Sequence, residues 1–445
     1  MNKYLFIIGF AGMALFSACS TSDDLTADIP PSSGLSEEEK ALIIEAGKDS
    51  DVPITLGSVG SNRAITRKPI DSGTGDLFEI TGEDGRYLGV FCLARGKQVD
   101  APNISSIPAT DSDIKWVNSA YARWLDNTPA KVVKKAADPG TSIPAYSDVV
   151  FMNDGMTAEQ IRYYPFGNWY YYNFYAYYPR VSAASPKNPR QFDDLIVADY
   201  TITGKEDIIY SKAIATAGEY VDYDPDNNNA TNNSIRVNAY SSKYFRLKNK
   251  DKSDLEKFNN LPEFTFSHKL TQLFFQIKAA SVDDAKNLNT RNIKLKRLTI
   301  KDCYNQLVLV VASKRDGYTD GDLLLYTTGS SGRGDVNVWT NVDGDPFASS
   351  LAIVTSNTDV SPKDIGYAMV PPSAVISGNG EYSKYKIHLE MEPEGVPSTD
   401  IVLDNTFEAG KKYTITIDVY APEEIHAKAT LTGWSDQTID PIPVY

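Results

Sequence analysis

Cys19 is the residue whose surroundings most clearly indicate covalent chemistry in this sequence of 445 residues. It follows the small residues Ser17 and Ala18, which end an apolar run that begins at Tyr4 behind a lysine. A charged start and a short apolar run are typical of an export signal, and the run is shorter than the about 20 residues that a membrane-spanning helix needs. A cysteine at this position is typical of bacterial lipoproteins, in which its thiol is acylated. The sequence therefore predicts a lipoprotein signal over 1–19 with Cys19 as the lipidation site, and an ordinary signal with a chance cysteine is the alternative.

A second kind of chemistry, cleavage by a protease that recognises arginine, is predicted at Arg63. Arg63 and Ala64 directly follow a short apolar segment, and Arg67 lies a little further along the same polar stretch. Proteolysis concentrates in exposed polar segments that connect structured elements. We therefore predict processing between Arg63 and Ala64, with Arg67 as the alternative site.

The segment before this site, residues 51–59, has the period of a strand. Val52, Ile54 and Leu56 alternate with less apolar residues, as in a half-buried strand. Residues 20–63 are therefore expected to be a tether that ends in a first strand.

No motif of an enzyme nucleophile, a phosphate-binding loop or a zinc site occurs in the sequence. His268, His388 and His426 are far apart and form no pair at the spacing of metal ligands. Residues 222–226 resemble the start of a calcium loop, but Asn227 stands where such a loop needs glycine. We therefore expect no enzyme, no metal and no cofactor.

The composition is acidic and aromatic. Lys and Arg number 44 against 58 Asp and Glu, which gives a formal net charge of −14 at pH 7. A nucleic-acid partner would need a basic face, so none is expected. The 27 Tyr and 17 Phe favour β-sheet. Cys92 and Cys303 lie in separate apolar stretches and are expected to be two buried thiols and not one bridge.

The periodic segments predict an all-β fold with few short helices. Apolar and polar residues alternate over 385–391 and 413–419, which is typical of antiparallel strands with one buried face. The helical candidates are 114–122 and 253–258. A polar stretch at 249–262 separates two sets of strands. The sequence thus predicts two tandem β-sandwich domains, 64–255 and 263–445.

An aromatic run covers residues 163–179. It is interpreted either as a stacking platform for glycans or as a central strand with rings on both faces. The second interpretation is favoured, with Phe174, Ala176 and Tyr178 on one face and Tyr175 and Tyr177 on the other.

Several segments occur in a characteristic order along the chain. They are the signal at Cys19, the strand over 51–59 with the junction Arg63-Ala64, and the segments Tyr172–Pro179, Asp207–Tyr210, Phe266–Leu270, Phe407–Tyr413 and Trp434. By these segments and their order the chain resembles the fimbrillin family of Bacteroidales, the subunits of type V pili that assemble from lipoprotein precursors. The resemblance spans nearly the whole chain.

The resemblance implies two transthyretin-like β-sandwich domains and a precursor on the outer membrane at the cell surface. It implies that the strand with Val52, Ile54 and Leu56 is removed by an arginine-specific protease and that a strand from a neighbouring subunit replaces it. The implied partners are other fimbrial subunits through β-strand addition, the protease and the lipoprotein export machinery, with a role in cell adhesion. The C-terminal region is the implied donor strand.

Pro441 and Pro443 depart from this pattern. Proline has no backbone N–H, so the C-terminal segment lacks two of the groups that would donate hydrogen bonds to a neighbouring strand. A tip or accessory subunit, which accepts a strand without donating one, is therefore an alternative to a stalk subunit. A different class of function, a surface glycan-binding lipoprotein of an outer-membrane polysaccharide uptake system, would share the lipid signal and the β-sandwiches. A mature form that starts at Ala64 or Lys68 would favour the pilus, whereas retention of acylated Cys19 would favour glycan capture.

Overall fold

The computed structural model describes residues 49–58, 79–82, 85–97, 116, 123–165, 170–215, 219–222, 234–237, 239–326, 332–340, 349–394, 396, 398–420 and 426–433. Several predictions fall outside these residues: the signal with Cys19, the processing sites Arg63, Ala64 and Arg67, all of the helix at 114–122 except Trp116, and the segment from 434 onward.

The strands up to residue 268 are β1 Asp49–Pro53, β2 Gly57–Ser58, β3 Leu88–Lys97, β4 Arg123–Lys135, β5 Tyr146–Phe151, β6 Tyr163–Pro165, β7 Tyr170–Tyr178, β8 Ala183–Ala184, β9 Lys187–Asn188, β10 Arg190–Gln191, β11 Leu195–Thr201, β12 Ile209–Ala213, β13 Glu219–Asp222, β14 Ser234–Val237, β15 Glu263–Phe264 and β16 Ser267–His268. The later strands are β17 Thr271–Ala279, β18 Lys294–Tyr304, β19 Gln306–Ser313, β20 Leu323–Leu325, β21 Arg333–Asn337, β22 Leu351–Ala352, β23 Lys363–Val370, β24 Tyr385–Glu392, β25 Thr399–Leu403, β26 Lys412–Tyr420 and β27 His426–Gly433. The helices are α1 Ser242–Lys248, α2 Asp254–Asn259, α3 Val282–Thr290, α4 Ser373–Ile376 and a 3₁₀ helix, Gly380–Ser383.

Strands dominate this structure, at 50% of residues against 10% in helices. The all-β fold class predicted from the sequence is confirmed. In the part of the chain that the structure describes, no helix combines the length and the apolar character needed to cross a membrane.

The largest sheet curls back on itself. Its eight strands follow the order β15-β2-β5-β4-β3-β7-β12-β16. The two end strands, β15 and β16, are separated in sequence only by Thr265 and Phe266. A connection that short spans at most about 10 Å, so the two edges of the sheet lie close together. In this order β2 is the strand that links β15 to the rest of the sheet.

A four-stranded sheet, β10-β11-β19-β20, shares the hydrophobic core of the curled sheet. Ile196 and Ala198 of β11 and Leu307 and Leu309 of β19 all belong to this first core. β19 pairs antiparallel with β11 over its whole length. The hairpin of β19 and β20 therefore contributes to the first core from a later part of the chain, as do Tyr367 and Met369 of β23.

The second core lies between two further sheets, β23-β17-β26-β27 and β21-β18-β24-β25. Alternate residues of β24, from Tyr385 to Met391, and of β26, from Tyr413 to Val419, are buried in this core. The alternation predicted for both strands is confirmed. Within the first of these sheets β17 and β26 run parallel, and the other pairs are antiparallel.

The helices α1 and α2 occupy the stretch at which the sequence predicts a domain division. The predicted helix at 253–258 is confirmed as α2, which begins with a capping box formed by Ser253 and Glu256. Strands β15 and β16 and the hairpin of β19 and β20 pair with strands that precede this division. The domain bounds 64–255 and 263–445 therefore remain predictions, because hydrogen-bonded strand pairs connect the two sides of the division.

Two local predictions differ from the structure. The single strand expected over 51–59 is two strands, β1 and β2, which pair with different neighbours. Pro53, which ends β1, has no N–H with which to continue a ladder, and this explains the break. Helices α1 and α3 were not predicted, although Ser241 and Ser281 are N-caps whose side chains accept hydrogen bonds from Tyr244 and Asp284 N–H.

Candidate functional site

The candidate site is the place that residues 49–58 occupy beside β6 and within the curled sheet, which we call the slot. β2 lies in it parallel to β15 and antiparallel to β5. Gly57 N–H donates to Pro262 C=O at 3.0 Å, and Val149 N–H donates to Leu56 C=O at 3.2 Å. Without this segment, β5 and β15 would each present an unpaired edge to the other.

The first part of the segment lies beside β6. β1 and β6 are antiparallel, with Pro53 opposite Tyr163. Ile54 N–H continues the contact by donating to Arg162 C=O at 2.7 Å. Ser50 is buried, and its Oγ accepts a hydrogen bond from Val52 N–H at 3.2 Å. The segment is thus held along its length by neighbouring backbone.

The side chains predicted to belong to the first strand point into the protein. Leu56 is 0% exposed and Ile54 is 5% exposed, and both belong to the first core. Val52 is half-buried and packs against the same core. The structure therefore brings all three predicted residues together in the slot.

Aromatic rings form the core next to β1. The buried ring of Tyr164 on β6 lies 5.1 Å, centre to centre, from Phe245 on α1 and 6.1 Å from Phe174 on β7. The Tyr164 hydroxyl has no hydrogen-bond partner among the described residues. Burial raises the pKa of Tyr164 well above its ordinary value, so this group stays neutral. These aromatic side chains beside β1 therefore contribute hydrophobic packing and no acid–base chemistry.

An ion pair joins β1 to α1 at the surface. Arg246 donates from Nη2 and Nε to Asp51 Oδ1, at 2.5 Å and 3.0 Å. The hydrogen bond and the charge of Arg246 lower the pKa of Asp51. Both side chains are exposed, so water screens the pair, and its main effect is to fix the position of β1.

The predicted processing sites lie close to the slot in sequence. Ser58 is the last described residue before Arg63, and the structure next describes residue 79. The geometry around Arg63, Ala64 and Arg67 is therefore outside the described residues, and processing there stays a prediction. The same holds for lipidation of Cys19.

The remaining candidates for chemistry do not converge on a site. His268 Nδ1 lies 2.6 Å from Asp207, and His388 Nδ1 lies 2.6 Å from Asp400, in separate parts of the fold. Within the ranges that the structure describes, no cluster of three or more His, Cys, Asp or Glu side chains could hold a metal ion.

The aromatic run is core. Its described residues from Tyr172 to Tyr178 are all buried, and β7 is a central strand of the curled sheet. Tyr177 donates a hydrogen bond to Asn127 at 2.6 Å. For these residues the interpretation as a glycan platform is wrong, because neither face of β7 is open to solvent.

The two cysteines are separate buried thiols, as predicted. Burial raises the pKa of Cys92 well above its ordinary value and that of Cys303 to about 12. Both thiols are therefore protonated and unreactive in the folded protein at neutral pH.

Two partners of the slot could not be found from the sequence. The parallel pairing of β15 with residues 57–58 depends on a contact between distant segments. The helix α1, which carries Arg246, has only the N-cap Ser241 as a sequence signal.

Comparisons with known proteins find similarity in structure alone. No protein family model matches the sequence, and no curated protein matches it. A candidate cell adhesion protein from Bacteroides ovatus has a TM-score of 0.41 at 12% identity, with 88% of this chain and 99% of that chain covered. A candidate cell adhesion protein from Bacteroides uniformis has a TM-score of 0.38 at 13% identity, with 86% and 98% covered.

The tip fimbrial protein Mfa3 from Porphyromonas gingivalis, in a form with C-terminal truncation, has a TM-score of 0.33 at 9% identity. The match covers 86% of this chain and 100% of that one. All these similarities are weak.

Proposed function

We propose that this chain is a structural or tip subunit of a surface fimbrium, of the fimbrillin type that its sequence resembles. The observation that supports this most directly is the position of residues 49–58, in which β1 pairs with β6, β2 lies between β5 and β15, and Ile54 and Leu56 are buried in the core. A segment in that position is needed by the fold, yet it is joined to the rest of the chain through the stretch that contains Arg63. Any strand that offers the same backbone and side-chain pattern can take its place.

In this proposal the protein is exported as a lipoprotein, and acylated Cys19 holds the precursor in the outer membrane at the cell surface. An arginine-specific protease then cuts after Arg63, or after Arg67. The segment 49–58 and the lipid stay together on one side of the cut, so Cys19 is a temporary anchor. A subunit that escapes cleavage would remain attached to the membrane.

The segment supplies a large part of the stability of the first core. Burial of a large aliphatic side chain contributes about 1.5–3 kcal/mol, so Ile54 and Leu56 together contribute roughly 3–6 kcal/mol. A domain is stable by about 5–15 kcal/mol in total. An empty slot is therefore costly, and the cleaved subunit is expected to recruit a replacement strand.

Cleavage changes the competition for the slot without changing any contact in it. While residues 49–58 are joined to the body, they compete at an effective concentration that is about millimolar for short linkers. The cut removes this advantage, because the released segment then binds as a separate molecule. A donor strand from a neighbouring subunit can displace it from that moment on.

Strand donation from one subunit to the next produces a filament. The slot and the donor are different parts of the chain, so the contact is head-to-tail and does not close on itself. We further propose that the two cores belong to the two tandem transthyretin-like domains that the resemblance implies, and that the assembled fimbrium serves cell adhesion.

The experiment compares the wild-type chain with the double variant Arg63→Ala, Arg67→Ala, both extracted from the cell surface. For the wild type we expect a mature N-terminus at Ala64 or Lys68 by mass determination and N-terminal sequencing, together with polymers. The double variant should keep acylated Cys19 and stay monomeric. Arg291→Ala, which removes an exposed arginine at the end of α3, is the matched control and should behave as wild type.

A wild-type surface protein that keeps acylated Cys19 and forms no polymers would overturn the proposal. Measurable affinity of that form for glycans would support the alternative function of polysaccharide capture.

A further inference from the structure

The four-stranded sheet β10-β11-β19-β20 is apolar on both faces. One face belongs to the first core, and a separate apolar cluster lies on the other, which we call the outer face. The cluster consists of Leu195, Val197, Val308 and Val310, all of which are buried. These side chains are thus already covered in the isolated chain, and a ligand would meet the polar and aromatic groups above them.

An arginine–carboxylate pair with an aromatic neighbour lies on the outer face. Arg190 donates from Nε and Nη2 to the two carboxylate oxygens of Asp199, both at 2.7 Å. Its guanidinium carbon lies 5.8 Å from the ring centre of Tyr326, which packs on the apolar cluster. Arg190 stands opposite Val197 in its ladder and Asp199 stands opposite Val308. Residues directly opposite in a ladder share a face, so the pair projects on the outer side of the sheet.

A second pair of the same kind lies at the end of this sheet. Arg315 donates from Nη2 and Nε to the two carboxylate oxygens of Asp194, at 2.6 Å and 3.1 Å. Its guanidinium carbon lies 5.3 Å from the ring centre of Phe192 and 6.0 Å from that of Tyr318. Both rings are well exposed, at 39% and 40%. Two open aromatic rings therefore flank a planar pair that is itself partly open to solvent.

The backbone holds these groups in fixed positions. Phe192 and Asp194 lie in the turn between β10 and β11, and Arg315 and Tyr318 lie in the connection between β19 and β20. Tyr318 N–H donates to Arg315 C=O at 3.3 Å, and Lys314 N–H donates to Asp194 C=O at 2.8 Å. The second of these bonds joins the two connections, so the rings and the pair are ordered before any ligand arrives.

Both pairs keep free hydrogen-bonding capacity. A carboxylate oxygen can accept more than one hydrogen bond, and the Nη1 groups of Arg190 and Arg315 make none within the described ranges. Each pair thus offers donors and acceptors in one plane, beside aromatic rings and without an unpaired charge. Sugar rings carry hydroxyls that both donate and accept, and their C–H faces can pack on aromatic rings.

We propose that this surface binds an uncharged glycan. We call it the outer patch, and it consists of Arg190, Phe192, Asp194, Asp199, Arg315, Tyr318 and Tyr326.

The structure favours a glycan over a protein and an uncharged glycan over an acidic one. The centre of a protein interface is a desolvated apolar region, and here the apolar side chains are already covered by the chain itself. Each guanidinium of the outer patch is neutralised by its own carboxylate. The chain carries a formal net charge of −14, which opposes the approach of an anionic polymer.

This inference goes beyond the proposed function and does not depend on it. The outer patch shares no residue with 49–58 or with the strands that pair with them. Glycan affinity by itself therefore does not separate a fimbrial subunit from a capture protein. The mature N-terminus and the polymers make that distinction.

The test uses the uncleaved full chain with Arg63→Ala and Arg67→Ala, extracted from the cell surface, so that polymer formation does not affect the measurement. Its migration is measured in native gels that contain starch, mannan or galactan as uncharged polysaccharides, or alginate as an acidic one. We expect at least one uncharged polysaccharide to retard the protein and alginate to leave its migration unchanged.

Substitutions in the same background locate the site. Phe192→Ala and Tyr318→Ala should each weaken binding by about threefold to tenfold, because a stacking ring is lost, and together they should abolish retardation. Arg315→Lys keeps the charge but loses the planar fork, so it should weaken binding by about tenfold or more. Tyr420→Ala is the matched control, since Tyr420 at the end of β26 is 38% exposed, and it should bind as the parent does. Equal urea midpoints would show that the variants are folded.

Several results would overturn the inference. They are the absence of retardation by every uncharged polysaccharide, retardation by alginate alone, and binding that survives the loss of both Phe192 and Tyr318 or of the Arg315 fork. An equal loss of binding in Tyr420→Ala would place the site elsewhere. Self-association of the uncleaved chain that disappears with Phe192→Ala and Tyr318→Ala, without glycan binding, would show that the outer patch is a protein interface. Each of these outcomes leaves the proposed function to be decided by its own experiment.

Discussion

Leu56→Ala should destabilise the precursor and leave the processed protein unaffected. Leu56 is 0% exposed and lies in the first core. Truncation of a buried leucine to alanine lowers the free energy of unfolding by about 2–5 kcal/mol, since it removes apolar contacts and leaves a cavity. For a loss of about 3 kcal/mol and a denaturant dependence of about 2 kcal/mol per molar urea, the unfolding midpoint falls by about 1.5 M.

The assay is urea unfolding followed by tryptophan fluorescence. Trp124 on β4 reports on the slot, because its Nε1–H donates to Tyr163 C=O at 2.8 Å on the strand that pairs with β1. The measurement is made on the precursor and again after cleavage and release of residues 49–58. After release, Leu56→Ala and the wild type should unfold at the same urea concentration, because the altered residue is no longer present.

Leu389→Ala is the matched control for this comparison. Leu389 on β24 is also 0% exposed but belongs to the second core. This variant should lower the free energy of unfolding in the precursor and in the processed protein alike. An unchanged midpoint for the Leu56→Ala precursor would refute the packing argument, and a deficit that persists after cleavage would show that the segment does not leave.

Three further predictions concern single interactions. The pair between Arg246 and Asp51 lowers the pKa of Asp51, so it stabilises β1 at pH above the usual carboxyl value of 3.8 and is lost as the pH falls through the lowered value; the protection of 49–54 from hydrogen exchange, taken relative to the intrinsic exchange rate at each pH, should fall over that range in the wild type, and Arg246→Ala should remove this step. The pKa of about 12 for Cys303 predicts that iodoacetamide at pH 8 alkylates this thiol only once urea unfolds the protein, and fast alkylation of the folded chain would contradict its burial. Tyr177→Phe should lower the free energy of unfolding by about 1–3 kcal/mol in urea titrations, because the buried Asn127 Oδ1 loses the hydroxyl that donates to it at 2.6 Å, whereas a neutral effect would mean that water replaces the donor.

The strands that the sequence predicts best are those with one buried face. Residues 385–391 and 413–419 alternate in polarity because one face of each strand meets the second core and the other is partly exposed. Val52, Ile54 and Leu56 could be identified for the same reason. In these segments the alternation of apolar and polar residues follows from which side chains are buried, so it can be read from a single sequence.

The pairing of distant strands could not be predicted in the same way. β19 is buried along nearly all of its length, so its residues 306–313 show no alternation from which a partner could be inferred. Its antiparallel partner β11 lies far away in sequence and in the other predicted domain. The contacts of β15 and α1 with the slot could not be predicted for a related reason. Each element is short, and each contacts residues 49–58, which are distant in sequence.

The hairpin of β19 and β20 constrains the order in which the chain can fold during synthesis. Residues 306–325 emerge after β11 and after every strand of the curled sheet, yet β11 has no partner on that side before they arrive. Until then, the apolar face that carries Ile196 and Ala198 lacks Leu307 and Leu309. The leading part of the polypeptide therefore cannot reach its final fold in advance of the rest.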